Sequence, residues 1–205
     1  MEEQITFPAG TLTLEGLFWT PVQTPQVGVV LCHPHPLYGG EMRNNVVSAL
    51  AEALQQAGMA TLRFNFRGVG RSSGTHDEGN GEVEDVTAAV TDLLRRQAVS
   101  TVAIAGYSFG SMVGLRAGVT DPRVHKLIGV ALPIGRRDAT FLLPCAKPKL
   151  LMSGDRDHVS PLPALQDLLT KLLEPKALVT IHGADHFFRG QEGEVAKAVV
   201  EFLMV

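Results

Sequence analysis

Cysteine is scarce in this chain: Cys32 and Cys145 are the only two among 205 residues. They fall in or beside apolar segments and form neither a disulfide framework nor a metal-ligand pattern. Two buried, reduced thiols in a cytoplasmic protein is the expectation, with no metal and no cofactor. Positive charge is also short. Lys plus Arg number 18 against 21 Asp plus Glu, a formal net charge of -3, which removes the electrostatic reason to expect nucleic acid or an anionic membrane as partner. The basic pairs Arg95-Arg96 and Arg136-Arg137 read as solvated surface. No uncharged apolar run is long enough to cross a bilayer. The start, Met1-Glu2-Glu3-Gln4, is acidic and lacks the basic-then-apolar layout of a signal peptide. Repeats and low-complexity segments are missing too, so a single domain over residues 1–205 is expected.

What is there alternates. Ile5–Phe7 and Leu12–Trp19 read as opening strands, the second with the partial alternation of an antiparallel edge. Val27–Cys32 is a continuous apolar run, as in a strand buried on both faces. Asn44–Gln56 reads as a helix ended by Gly58, and Met59–Asn65 as the next strand. Glu82–Arg96 repeats Val83, Val86, Val90 and Leu93 at a helical period, with acids at its start and arginines at its end. Further strands are expected at Val102–Tyr107, Leu127–Leu132, Lys149–Ser153 and Ala177–His182, and helices at Met112–Gly118, Leu162–Leu173 and Glu194–Met204. Strand and helix in turn imply an α/β fold, a doubly wound, mostly parallel sheet with antiparallel N-terminal strands. Reactive groups of such sheets gather at the carboxyl ends of the strands. His33–Gly40, Arg67–Gly74, Ser108, Gly154–Pro161 and Gly183–Phe188 all stand there.

Ser108 carries the sharpest signal. Val102–Tyr107 runs into Gly106-Tyr107-Ser108-Phe109-Gly110, and a small-residue helical segment follows. Gly-x-Ser-x-Gly between strand and helix is the layout of a nucleophile elbow, a tight turn that holds a serine hydroxyl away from the backbone. The flanking glycines suit a place where strand and helix pass close together. The helix start directs free amides at a developing anion, the first of them that of Phe109. A serine hydroxyl needs a base to take its proton, usually His oriented by a carboxylate. In elbow enzymes these partners follow in the order Ser, acid, His. Here Gly154-Asp155-Arg156-Asp157-His158-Val159-Ser160-Pro161 and then Gly183-Ala184-Asp185-His186-Phe187-Phe188 supply that order.

With these turns the chain resembles a small member of the α/β-hydrolase superfamily over nearly its whole length. Size, the His-Pro-x-Pro-x-x-Gly-Gly loop at His33–Gly40 and the Arg-Gly-x-Gly loop at Arg67–Gly70 look most like lidless bacterial hydrolases of the dienelactone-hydrolase-like group. The superfamily's Gly-x-x-Asp and Gly-x-x-His turns then imply Asp157 as acid and His186 as base. Asp155 is the rival acid, or a loop cap. Asp185 reads as a turn residue, and His158 and His182 as structural histidines. The resemblance also implies a second oxyanion amide in the loop after Val27–Cys32. That donor is His35 if the count starts at His33 and Leu37 if it starts at His35; Pro36 has no N–H.

Two rival motifs fail. Gly68-x-Gly70 has Ser73 where a dinucleotide loop needs its third glycine, and no P-loop pattern exists. The resemblance instead makes this loop a support, with Arg67 as its clamp. His33 and His35 lack the companions of a metal site, and His33 reads as buried scaffold. Pro133–Pro148 is too short for a separate cap, and Phe141, Leu142, Leu143 and Met112 either line an apolar rim or pack in the core.

The implied activity is hydrolysis of a small carboxylic ester or thioester through an acyl-enzyme. Its rate should rise with pH as His186 becomes neutral. The Cys nucleophile of the best-known members of that group is Ser108 here, so their lactone substrate does not carry over. The alternatives are a non-catalytic module of the same fold that binds a ligand or protein, and a peptidase or perhydrolase built on the same triad. A binding module usually lacks a triad member and this chain lacks none; a peptidase normally needs an added domain. Nothing in the sequence marks an oligomeric state.

Overall fold

The computed structural model describes residues 2–205; Met1 of the acidic start lies outside the described residues. Eight strands form one sheet: β1 Glu3–Ala9, β2 Leu12–Trp19, β3 Val27–Cys32, β4 Ala60–Phe64, β5 Thr101–Tyr107, β6 Lys126–Val130, β7 Lys149–Gly154 and β8 Lys176–Ile181. Their spatial order is β1-β2-β4-β3-β5-β6-β7-β8. β2 runs antiparallel to both β1 and β4, and every later pairing is parallel. The helices are α1 Asn45–Gln56, α2 Gly81–Arg96, α3 Phe109–Thr120, α4 Leu162–Lys171 and α5 Glu192–Met204. This is the α/β-hydrolase fold.

The continuous apolar strands are explained by two cores, one on each face of the sheet. In β3, Val30 and Cys32 join the core beneath α2, α3 and α4, while Val29 and Leu31 join the core beneath α1 and α5. Val102 and Ile104 of β5 alternate in the same way with Ala103 and Ala105. A side-chain period of two divides such a run equally between the two faces.

Element ends follow local chemistry. Asn44 caps α1 by accepting from the Val46 amide at 3.1 Å. Gly58, with φ 76°, carries the left-handed turn after it. β6 stops at Val130 although the apolar run continues to Leu132. Ala131 turns the chain at φ 49° while staying buried. Among the described residues no helix is long and apolar enough to cross a membrane.

Candidate active site

β5 delivers Ser108 to the centre of the carboxyl edge of the sheet. Ser108 has φ 54° and ψ -119°, a costly conformation for a residue with a side chain. Its neighbours enforce it. A Cβ on Gly106 would collide with the carbonyl of Gly110, and one on Gly110 would collide with the carbonyls of Cys32 and His33. Only glycine lets α3 press against β5 and the loop after β3, which is why the motif reads Gly-x-Ser-x-Gly. The Ser108 amide donates to the Val130 carbonyl at 2.9 Å and anchors the turn to β6.

The turns after β7 and β8 meet this serine. Ser108 Oγ lies 2.9 Å from His186 Nε2, and His186 Nδ1 lies 2.7 Å from Asp157 Oδ2. The other Asp157 oxygen accepts from the amides of Val159 at 2.7 Å and Ser160 at 2.8 Å. Burial pushes the Asp157 carboxyl up, but the His186 hydrogen bond and these amides outweigh it and hold the group below the usual carboxylate range. Asp155 Oδ1 instead accepts from the Gly183 amide at 2.8 Å, and its Oδ2 lies 3.2 Å from the exposed His182. Asp185 accepts from the Phe187 amide within its own turn. His158 and His182 are exposed, not packed structural histidines.

The loop after β3 approaches from the other side. His33 is fully buried. Its Nε2 accepts from the Phe66 amide at 3.1 Å, so its Nδ1 carries the proton and donates to the Pro34 carbonyl at 2.7 Å. Burial lowers its ionisation to about 4, and it is neutral around pH 7. His35 caps the short 3₁₀ turn Pro36–Tyr38, its Nδ1 accepting from the Leu37 amide at 3.2 Å. The Leu37 amide is therefore engaged, and Leu37 does not line the cleft over Ser108. His35 and Phe109 do line it, and neither backbone amide has a hydrogen-bond partner among the described residues. Their rings pack at 4.8 Å.

Arg67 grips α2. Its guanidinium and backbone amide bond the buried Asp85 at 2.8–3.1 Å. It faces the loop–helix junction and takes no part in the Ser108 cleft. Breaking such a buried pair by removing one partner costs about 3–5 kcal/mol.

The cleft holds about 630 Å³. The one helical element in Pro133–Pro148 is the 3₁₀ turn Thr140–Leu142, so no separate domain caps the cleft among the described residues. Met112 and Leu142 are buried and Phe141 and Leu143 pack against the same core; none of the four lines the Ser108 cleft, although Met112 and Phe141 line a neighbouring groove that shares Arg137 with it. Arg136 and Arg137 line the cleft instead, a correction to reading them as mere solvated surface. The turn that carries them folds back because both amides donate to the Pro133 carbonyl at 3.0 Å. The position of the pair, just beyond a strand's carboxyl end, was the available signal. Nothing in the sequence marks Tyr107, whose hydroxyl reaches the His186 carbonyl at 2.8 Å. The buried Glu82, read as a helix-dipole residue, accepts from the amides of Asp77 and Gly79 and lies 2.8 Å from His76.

Residues 23–143 match the family described as serine aminopeptidase, S33. Uncharacterized protein RP471 of Rickettsia prowazekii (strain Madrid E) is 33% identical, covering 98% of this chain and 88% of that protein. An α/β serine hydrolase homologue from Coxiella burnetii is 36% identical with a TM-score of 0.89, over 98% of this chain and 97% of its own. XC6422 from Xanthomonas campestris, described as an α/β serine hydrolase without lid, is 33% identical with a TM-score of 0.89, over 99% and 94%. The chain belongs to this serine hydrolase family of the α/β-hydrolase superfamily, and among its members it is of the small, lidless bacterial kind.

Proposed function

We propose that this protein hydrolyses small carboxylic esters or thioesters through a Ser108–His186–Asp157 triad. The observation that carries the reading is the unbroken relay of 2.9 Å from Ser108 Oγ to His186 Nε2 and 2.7 Å from His186 Nδ1 to Asp157. As Ser108 Oγ bonds to the acyl carbon, its proton passes to His186 Nε2, and Asp157 steadies the imidazolium. The oxyanion receives the amides of Phe109 and His35; losing one such donor costs about 2.7–4 kcal/mol of transition-state stabilisation. The alcohol or thiol leaves with the proton from His186. Water, deprotonated by the same imidazole, then releases the acid and restores Ser108.

An ester fits better than the peptide in the family's description. An aminopeptidase must hold a cationic α-ammonium, and the cleft offers Arg136 and Arg137 and no carboxylate among the described lining residues. The continuous sheet from β1 to β8 supports one domain over 1–205. The free, buried Cys32 and Cys145 support the cytoplasmic expectation.

Labelling with a neutral fluorophosphonate, with mass mapping, tests the reading. Stoichiometric modification of Ser108, lost in Ser108→Ala, is the expected result. A folded protein that stays unlabelled would overturn it in favour of a binding module.

A further inference from the structure

The cleft over Ser108 carries one sign of charge in a protein whose formal net charge is -3. Among the described residues its ionisable lining is Arg136, Arg137, His35, His186, Tyr38 and Tyr107, with no Asp or Glu. Asp157 is not an exception, because its side chain is fully buried behind His186. Glu78, outside the lining, is the one carboxylate among the described residues within ion-pair distance of these guanidiniums, on Arg137 alone, so a cation-lined wall still draws an anion inward.

The two arginines are held differently. Arg137 is braced: its guanidinium lies 5.8 Å from the centroid of the Phe109 ring, the residue after Ser108. Its Nη1 donates to the Glu78 carbonyl at 3.3 Å, and its Nη2 stands 3.8 Å from the exposed Glu78 carboxylate. A guanidinium has five N–H donors, so most remain free. Arg136 is exposed and makes no ion pair among the described residues. The charge of Arg137 is felt at His35, whose ionisation burial, His76 and Arg137 lower against the opposing pull of Glu78 and Glu82. A turn that places two adjacent guanidiniums at the cleft, one over the Phe109 ring and one without an ion pair among the described residues, is suited to a planar or trigonal oxyanion.

We infer that the natural substrate is an anionic ester or thioester, bearing a carboxylate or phosphoryl group that seats on Arg136 and Arg137 while its scissile carbonyl meets Ser108. This rests on the serine hydrolase reading above. Arg136 and Arg137 are then specificity-determining residues.

Three 4-nitrophenyl esters test it: the neutral hexanoate, the monoester of adipic acid and the 5-phosphonopentanoate. The wild type should prefer at least one anionic ester by about tenfold or more in kcat/KM, chiefly through KM, as expected for charge-assisted hydrogen bonds. The preferred ester identifies the anion. The preference should shrink between about 0.05 and 0.5 M salt, vanish in Arg136→Ala/Arg137→Ala and survive in part in Arg136→Lys/Arg137→Lys. Equal or better use of the hexanoate by wild type, or a preference untouched by the alanine pair, overturns the inference. Labelling of wild type by a neutral fluorophosphonate separates the two failures. If Ser108 labels without anionic preference, the substrate class alone is wrong; if it does not label, the hydrolase reading falls as well.

Discussion

The Tyr107 hydroxyl donates a 2.8 Å hydrogen bond to the carbonyl of His186, so the residue before the serine holds the backbone of the histidine that faces it. Burial, aided by the charges of Asp157, Asp185 and Glu192, pushes the phenol's ionisation up, and it remains a donor throughout the neutral range. Tyr107→Phe keeps the ring and its packing on Phe188 but frees the His186 turn. We expect kcat and the fluorophosphonate labelling rate to fall about 2- to 10-fold with KM unchanged, the worth of one hydrogen bond. Steady-state kinetics beside thermal melts decide the matter: a lower melting temperature with wild-type kcat would assign the bond to stability alone.

Two aspartates share the turn after β7, and their surroundings separate them. Asp157 faces His186, whereas Asp155 holds the Gly183 amide. Asp157→Asn should let His186 adopt the wrong tautomer and lower kcat by about a thousand- to ten-thousand-fold. Asp155→Asn should leave kcat within about threefold, since its loss is one exposed loop contact. Equal losses in the two variants would reverse the assignment of the acid.

His33 links pH to stability. The unfolded chain takes up a proton on this imidazole below about pH 6.5, the folded chain only below about 4. Between those values the unfolded state binds more protons, so stability is complete above the window and falls as pH drops through it. The contribution is about 3 kcal/mol at most. His33→Gln keeps an acceptor for the Phe66 amide and removes the titration. Urea unfolding at pH 7 and near pH 4.5 should show a smaller pH loss in the variant than in wild type by about 2–3 kcal/mol. Equal losses would mean that the folded state protonates His33 at its ordinary value.

The elements near Ser108 were legible because close packing leaves marks in sequence. Gly106 and Gly110 admit no side chain, and strands buried on both faces read as plain apolar runs. The choice between His35 and Leu37 was not legible, because counting along a loop cannot show which amide an imidazole has already taken. Leu132 reads as strand in the sequence because burial, not extension, is what an apolar residue reports. Arg136 and Arg137 read as surface because charge in sequence does not reveal the path of the turn that carries it. Tyr107 could not be found at all, since its partner is a backbone carbonyl 79 positions away.

β8 occupies one edge of the sheet, paired only with β7, and its first five residues are half-buried. The turn that holds His186 hangs from this strand, while Ser108 directly follows β5, a strand flanked on both sides. Edge elements of this kind open at lower free energy than the body of a domain. Detaching one strand would therefore part His186 from Ser108 while the rest of the sheet stays paired, and the proposed activity would fall silent well before the protein melts.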